Sequence, residues 1–133
     1  MDHNVGVASG RRIASLMACA VAVAFAARAV ANTPRSTPEL LAAGKATYEG
    51  SAGGCAACHG VTGEGNGPVA FAIKPPPRNL VRDEFKGGDT VEKVFTTITL
   101  GLPGTRMIGY PQLTEADRWA LAYYVKSFRV ARK

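Results

Sequence analysis

The sequence predicts an all-α domain of three main helices joined by long irregular loops, and three observations carry that expectation. Three segments open on cap-type residues and then run with helical periodicity. A stretch rich in glycine and proline separates the first two of them. No alternation of strand runs with helices suggests a βαβ unit.

The first helix is expected from Pro38 to Glu49, with Thr37 as N-cap and Pro38 at the first helical position. It carries Gly44 and Tyr48 one turn apart, so a missing side chain and an aromatic ring share a stripe. Glycine costs helix stability, and a close approach by another backbone would justify it there. The second helix is expected from Val91 to Leu100, where Asp89 and Glu92 have capping-box spacing and Gly101 can end it. The third is expected from Glu115 to Arg129, introduced by Thr114 with Asp117 three residues later. On it Ala116, Trp119, Ala120 and Tyr123 share one face, while Glu115, Arg118, Ala122, Lys126 and Arg129 line a mostly polar one. Trp119 and Tyr123 are therefore expected to look inward.

The N-terminus reads as an export signal. Arg11 and Arg12 precede an apolar run from Ile13 to Ala27, and Ala29-Val30-Ala31 gives the small-x-small pattern of a cleavage site before Asn32. The run is short for a bilayer span and Arg28 interrupts it, so a retained anchor is the weaker reading and no stable membrane insertion of the mature domain is expected. Residues 1–31 are thus assigned to a cleaved signal peptide and 32–133 to one small domain. That domain has 13 Lys and Arg against 9 Asp and Glu, a net of +4. It has no basic stripe with interleaved aromatics, which argues against nucleic acid as a partner.

Inside the mature domain, Cys55-Ala56-Ala57-Cys58-His59 has the C-x-x-C-H spacing at which two thiols can bond one haem while the adjacent imidazole ligates its iron. A structural zinc site usually needs four protein ligands, and no second Cys or Cys/His pair follows. A dithiol redox pair would sit beside a βαβ pattern. The mature chain keeps one further soft ligand, Met107, in the turn-rich segment Gly101-Leu102-Pro103-Gly104-Thr105-Arg106-Met107. A loop methionine on its own would read as a gap-filling side chain. With His59 on one face of an iron, a thioether is the expected ligand on the other, and His/Met ligation raises the reduction potential. The segment holding Gly60, Gly63, Gly65, Gly67, Pro68 and Pro75-Pro76-Pro77 lacks the G-K-[ST] ending of a phosphate loop, and is expected to be extended chain wrapped on a haem face.

Gly44-x-x-x-Tyr48, Cys55-Ala56-Ala57-Cys58-His59-Gly60, Gly67-Pro68, Pro77-Arg78-Asn79-Leu80, Gly101-x-Pro103-Gly104-Thr105-x-Met107 and the helix bearing Trp119 and Tyr123 together resemble a small bacterial class I c-type cytochrome. The resemblance covers nearly the whole mature chain. It implies a cytochrome c fold, with loops wrapped around a single covalent haem c, in an exported, periplasmic protein. It implies that the first and last helices cross at Gly44 with Trp119 or Tyr123 near the porphyrin. It also implies that the Pro68 carbonyl accepts a hydrogen bond from His59 Nδ1, and that Arg78, Asn79 or Arg106 meets a haem propionate.

Two classes of function follow. With both axial positions filled the protein would be a carrier of single electrons between redox proteins such as a dehydrogenase, reductase or oxidase, and not itself an enzyme. It could equally serve as the dedicated cytochrome subunit of a dehydrogenase complex. With the sixth position open it would bind a small gas or peroxide, and Met107 separates the two classes. Lys74, Arg78, Arg82, Lys86 and Arg106 are candidates for meeting an acidic docking surface on a partner.

Overall fold

The computed structural model describes residues 33–51 and 54–130. The segment read as a signal peptide, with its cleavage site, lies outside the described residues. The compact unit that contains the helices begins at Pro34. Its elements are α1 (Pro38–Glu49), a short α2 (Cys55–His59), a 3-10 turn (Ala70–Ala72), α3 (Val91–Leu100) and α4 (Glu115–Val130). Among the described residues the only β-type pairing is one isolated antiparallel bridge, Gly101 to Ile108. The fold is all-α, with the three long helices at their expected positions and the fourth, α2, formed by the C-x-x-C-H run itself.

Local chemistry sets the helix ends. Thr37 Oγ1 accepts from the Leu40 amide at 3.2 Å, and Pro38 fills a position whose missing N–H would have had no helical partner. The α1 chain ends as the Gly50 amide donates to the Ala46 carbonyl at 2.9 Å. Thr114 Oγ1 accepts from the Asp117 amide at 3.1 Å and donates to the Asp117 carboxylate at 2.6 Å. At α3 the cap is Thr90, whose hydroxyl accepts from the Lys93 amide at 3.3 Å, and not the Asp89 of the expected box. The Asp89 carboxylate is taken by two cations of α4, Lys126 at 2.7 Å and Arg129 at 3.3 Å. An ion pair with two partners outcompetes a single capping bond, and the adjacent threonine caps in its place.

The helices close on one another around Gly44. A β-carbon at Gly44 would overlap the Ala120 carbonyl and lie 2.8 Å from Tyr124 Cβ, so α1 and α4 meet backbone to backbone. One turn on, the fully buried Tyr48 enters an edge-to-face cluster with Tyr124 and Phe128, at centroid distances of 5.3 and 5.4 Å. The core comprises Tyr48, Leu80, Val94, Ile98, Leu113, Leu121, Ala122 and Val125.

The inward face of α4 differs from the expected one. Leu121 and Val125 form its buried apolar row, and Ala122, read from sequence as part of the polar face, is completely buried. Trp119 lies on the flank, stacked on Phe95 of α3 with centroids 4.0 Å apart, its indole N–H donating to Glu115. Tyr123 sends its hydroxyl to the Pro34 carbonyl. Two neighbours, α1 and α3, pack on α4 at once, so the buried arc is wide and its centre falls between the aromatic residues that seemed to define it.

Gly44→Val should test the crossing. The small gain in helix propensity is outweighed by overpacking against a backbone that cannot yield, and a loss of about 2–3 kcal/mol is expected in chemical denaturation.

Candidate functional site

The short helix α2 is held open at both ends by glycines with positive φ, Gly54 at 60° and Gly60 at 76°. Cys55 and Cys58, three residues apart, fall on the same side of its single turn, with His59 directly after. A five-residue helix leaves most of its carbonyls without helical donors. The glycine-rich loop that follows supplies them: Gly65 donates to the His59 carbonyl at 2.7 Å, Gly67 to Cys58 at 3.1 Å and Val69 to Ala57 at 3.1 Å. A β-carbon on Gly67 would overlap the Ala57 carbonyl, so the loop can lie this close only with glycine there. Tyr48 completes the arrangement by donating its hydroxyl to the Gly60 carbonyl at 2.8 Å. Burial pushes the Tyr48 phenol above its ordinary range, which favours the protonated, donating form.

The same loop carries the stretch that orients the histidine. The Leu80 amide donates to the Gly63 carbonyl at 2.6 Å, which draws residues 77–80 alongside α2. His59 Nδ1 then lies 3.0 Å from the Arg78 carbonyl. A carbonyl only accepts, so Nδ1 carries the proton and Nε2 keeps its lone pair. Burial lowers the His59 pKa, against the opposing pull of the Arg78 hydrogen bond, and the ring is held in the neutral form a metal requires. The acceptor is therefore Arg78 and not Pro68, as the resemblance implied. Pro68 is exposed, on the outer side of the turn that follows Gly67. Asn79 is buried, and its side-chain oxygen accepts from the Val81 and Arg82 amides, an Asx turn that fixes the backbone just after Arg78.

Cys55, Cys58 and His59 open onto a cavity of about 180 Å³. Met107 lines the same cavity, from a loop whose geometry is fixed at several points. Leu102 donates to the Met107 carbonyl at 2.9 Å, the Met107 amide donates to Thr105 Oγ1 at 3.1 Å, and that hydroxyl donates to the Leu102 carbonyl at 2.8 Å. Gly101, at φ 76°, lets the returning strand of this loop cross: a β-carbon there would sit 2.6 Å from the Met107 carbonyl. The remaining lining includes Tyr48, Leu80, Val94, Ile98, Leu121 and Val125, six of the eight core residues, with Pro75, Pro76 and Pro77 on another side. Arg78, Lys86 and Arg106 contribute the cationic part of the lining. Trp119 is absent from it, being spent on Phe95.

These walls fit a covalently held haem. They offer a mostly apolar enclosure, two thiols from one helical turn, an imidazole whose Nδ1 is taken by a carbonyl so that Nε2 keeps its lone pair, and a thioether. They fit the alternatives poorly. Among the described residues no three His, Cys, Asp or Glu side chains gather as a metal cluster. Burial pushes the Cys55 thiol up to about 11, opposite to the lowered pKa of a redox dithiol.

Leu121, Val125 and Phe85 were not among the residues the sequence singled out, although all three line the cavity. Leu121 and Val125 did carry a signal, an apolar pair at i and i+4, which the larger aromatic residues beside them obscured.

The acceptor assignment is checked by paired variants. Arg78→Ala keeps the carbonyl, so the slowly exchanging His59 Nδ1 proton should persist in NMR spectra. Gly65→Ala, whose β-carbon would meet the Pro77 carbonyl at 2.6 Å from a φ of 77°, should lose it. Tyr48→Phe strands the Gly60 carbonyl, and about 1–3 kcal/mol of stability should go with it in denaturant titrations.

The family model of cytochrome c matches residues 41–129. Among solved structures, a chain of the Kuenenia stuttgartiensis reducing HAO-like protein complex Kustc0457/Kustc0458 is 35% identical with a TM-score of 0.68, over 72% of this chain and 46% of that one. This chain thus matches about half the length of that relative. No protein of curated function matches. The matched span takes in α2, the loop that carries the Arg78 carbonyl, the Met107 loop and nearly all of α4, and the chain belongs to the cytochrome c family.

Proposed function

We propose that this protein is an exported monohaem c-type cytochrome that carries single electrons between redox proteins, with His59 and Met107 as the axial ligands. The observation that carries the reading is that Cys55, Cys58, His59 and Met107, distant in sequence as two groups, line one apolar cavity. Bound there, haem c would supply an iron that changes between the ferrous and ferric states without binding a substrate.

The chain's own residues do the rest. Cys55 and Cys58 would hold the group through thioether bonds, which removes dissociation from the problem. His59, kept in one tautomer by the Arg78 carbonyl, would present Nε2 in a fixed direction with little reorganisation between redox states. Met107, anchored on both sides by backbone bonds, would present a soft sulfur that favours the reduced state. Leu80, Val94, Ile98, Leu121 and Val125 exclude water, and a low dielectric also disfavours the additional charge of the oxidised state. Arg78, Lys86 and Arg106 would offset propionate charge and give the mouth a positive field, which attracts an acidic partner surface and speeds encounter more than it tightens binding.

A role as a subunit of a larger enzyme draws support from one finding, that the solved relative is a chain of a protein complex. Export rests on the sequence of residues 1–31; among the described residues no helix is long and apolar enough to cross a membrane.

Three measurements test the reading. Replacing both Cys55 and Cys58 by Ser should abolish haem staining on a denaturing gel, and a stained mutant band would refute the attachment. Mass spectrometry of the haem-bearing protein should find Asn32 at the mature N-terminus. For the ligands, the oxidised protein should show the near-infrared band of thioether–ferric ligation and the reduced protein should bind carbon monoxide poorly, while Met107→Ala should lose the band, bind carbon monoxide readily and fall in potential. An unmutated protein that binds carbon monoxide freely would instead favour an open-site haem protein.

A further inference from the structure

One wall of the cavity is a loop with few hydrogen bonds of its own. Phe85, Lys86, Gly87 and Gly88 line it. The segment is short of side chains, its Gly88 is at φ 97°, and within it only the Gly88 amide bonds back, to the Phe85 carbonyl at 3.0 Å. Its inner side packs on α3, where a β-carbon on Gly87 would overlap the Thr97 hydroxyl, and its outer side is held from α4. The Arg129 guanidinium sits 4.4 Å above the Phe85 ring, on the segment's outer side. One of its terminal nitrogens donates to the Asp83 carbonyl and the other is 3.3 Å from the Asp89 carboxylate, so a single planar fork spans both ends of the loop. Its Nε is buried without a hydrogen-bond partner, which commits the group to the aromatic face. Lys126, nearly one turn earlier, grips Asp89 a second time through the backbone carbonyl and the carboxylate.

We propose that Arg129, tied to Asp89, is a positioning residue that holds Phe85 and the loop through Gly88 closed over the cavity. Arg129 is not among the residues that line the cavity, and it acts through the Phe85 ring, which is. A lysine cannot replace it, because an ammonium cannot cover a ring face and bridge two acceptors at once. The effect on redox behaviour rests on the electron-carrier reading: when the loop lifts, water enters and the more highly charged ferric state is favoured, which lowers the reduction potential.

Hydrogen exchange resolved by mass spectrometry, on the haem-bearing mature protein, tests the clamp independently of any electron-transfer assay. Arg129→Ala should raise exchange of the Gly88 amide, the hydrogen-bonded one of this segment, about tenfold while α1 and α3 keep their protection. Arg129→Lys should do the same to a lesser degree, as should Asp89→Asn. The control is Arg118→Ala, which removes a cation 5.6 Å from the Phe95 ring on the same helix but away from the cavity, and should leave the loop unchanged. The potential should fall in the order wild type, Arg129→Lys, Arg129→Ala. Unchanged loop exchange in Arg129→Ala, or a uniform loss of protection across all helices, would overturn the proposal. A wild-type protein without covalent haem would sink the carrier reading and leave the exchange comparison intact.

Discussion

The close crossing of α1 and α4 is the contact on which the rest depends. Because Gly44 lets the two backbones touch, Tyr48 is carried into the interior from one helix and Leu121 and Val125 from the other. Tyr48 then does two things at once. Its ring packs against Tyr124 and Phe128, and its hydroxyl fixes the Gly60 carbonyl at the end of the C-x-x-C-H helix. Displacing the crossing would therefore move the thiols and the imidazole, even though no residue of α2 touches Gly44's neighbours on α4. The site is positioned from the outside inward.

Most of that positioning is done by backbone. The Arg78 carbonyl selects the tautomer of His59, the amides of Gly65, Gly67 and Val69 satisfy the carbonyls of a helix too short to satisfy its own, and the Leu102 amide pins the Met107 carbonyl. Backbone groups suit the task because they lose little rotamer entropy when they are ordered. The cost is that the chain must run unusually close to itself, which is why glycine recurs where a β-carbon would strike a carbonyl.

This also explains what was legible in the sequence. Helix positions were, because caps and periodicity are local: Thr37, Pro38, Gly101 and Thr114 each act within a turn of the residue they serve. The C-x-x-C-H run and the loop methionine were legible because their chemistry is specific to residue type. The acceptor for His59 was not, since a carbonyl belongs to every residue and only the path of the loop decides which one arrives; Pro68 had the right character and the wrong place. Trp119 failed for a different reason. An amphipathic indole looks like a core residue in any helical projection, yet where two helices flank a third it can be spent covering their seam, as it is on Phe95. Asp89 likewise had capping spacing, but two cations that approach from 37 and 40 residues away claimed it.

Six of the eight core residues are at the same time walls of the cavity, so in this domain stability and site chemistry are not separable properties. A small domain has little apolar surface to bury, and one that turns most of it toward a ligand gains by making that ligand permanent. The proposed covalent attachment through Cys55 and Cys58 would answer that constraint. The cavity also divides the charged residues into two sets. Arg78, Lys86 and Arg106 border the cavity, whereas Lys126 and Arg129 are consumed internally on Asp89 and the Phe85 ring. Net charge counts all five alike; the geometry reserves two of them for keeping the wall shut.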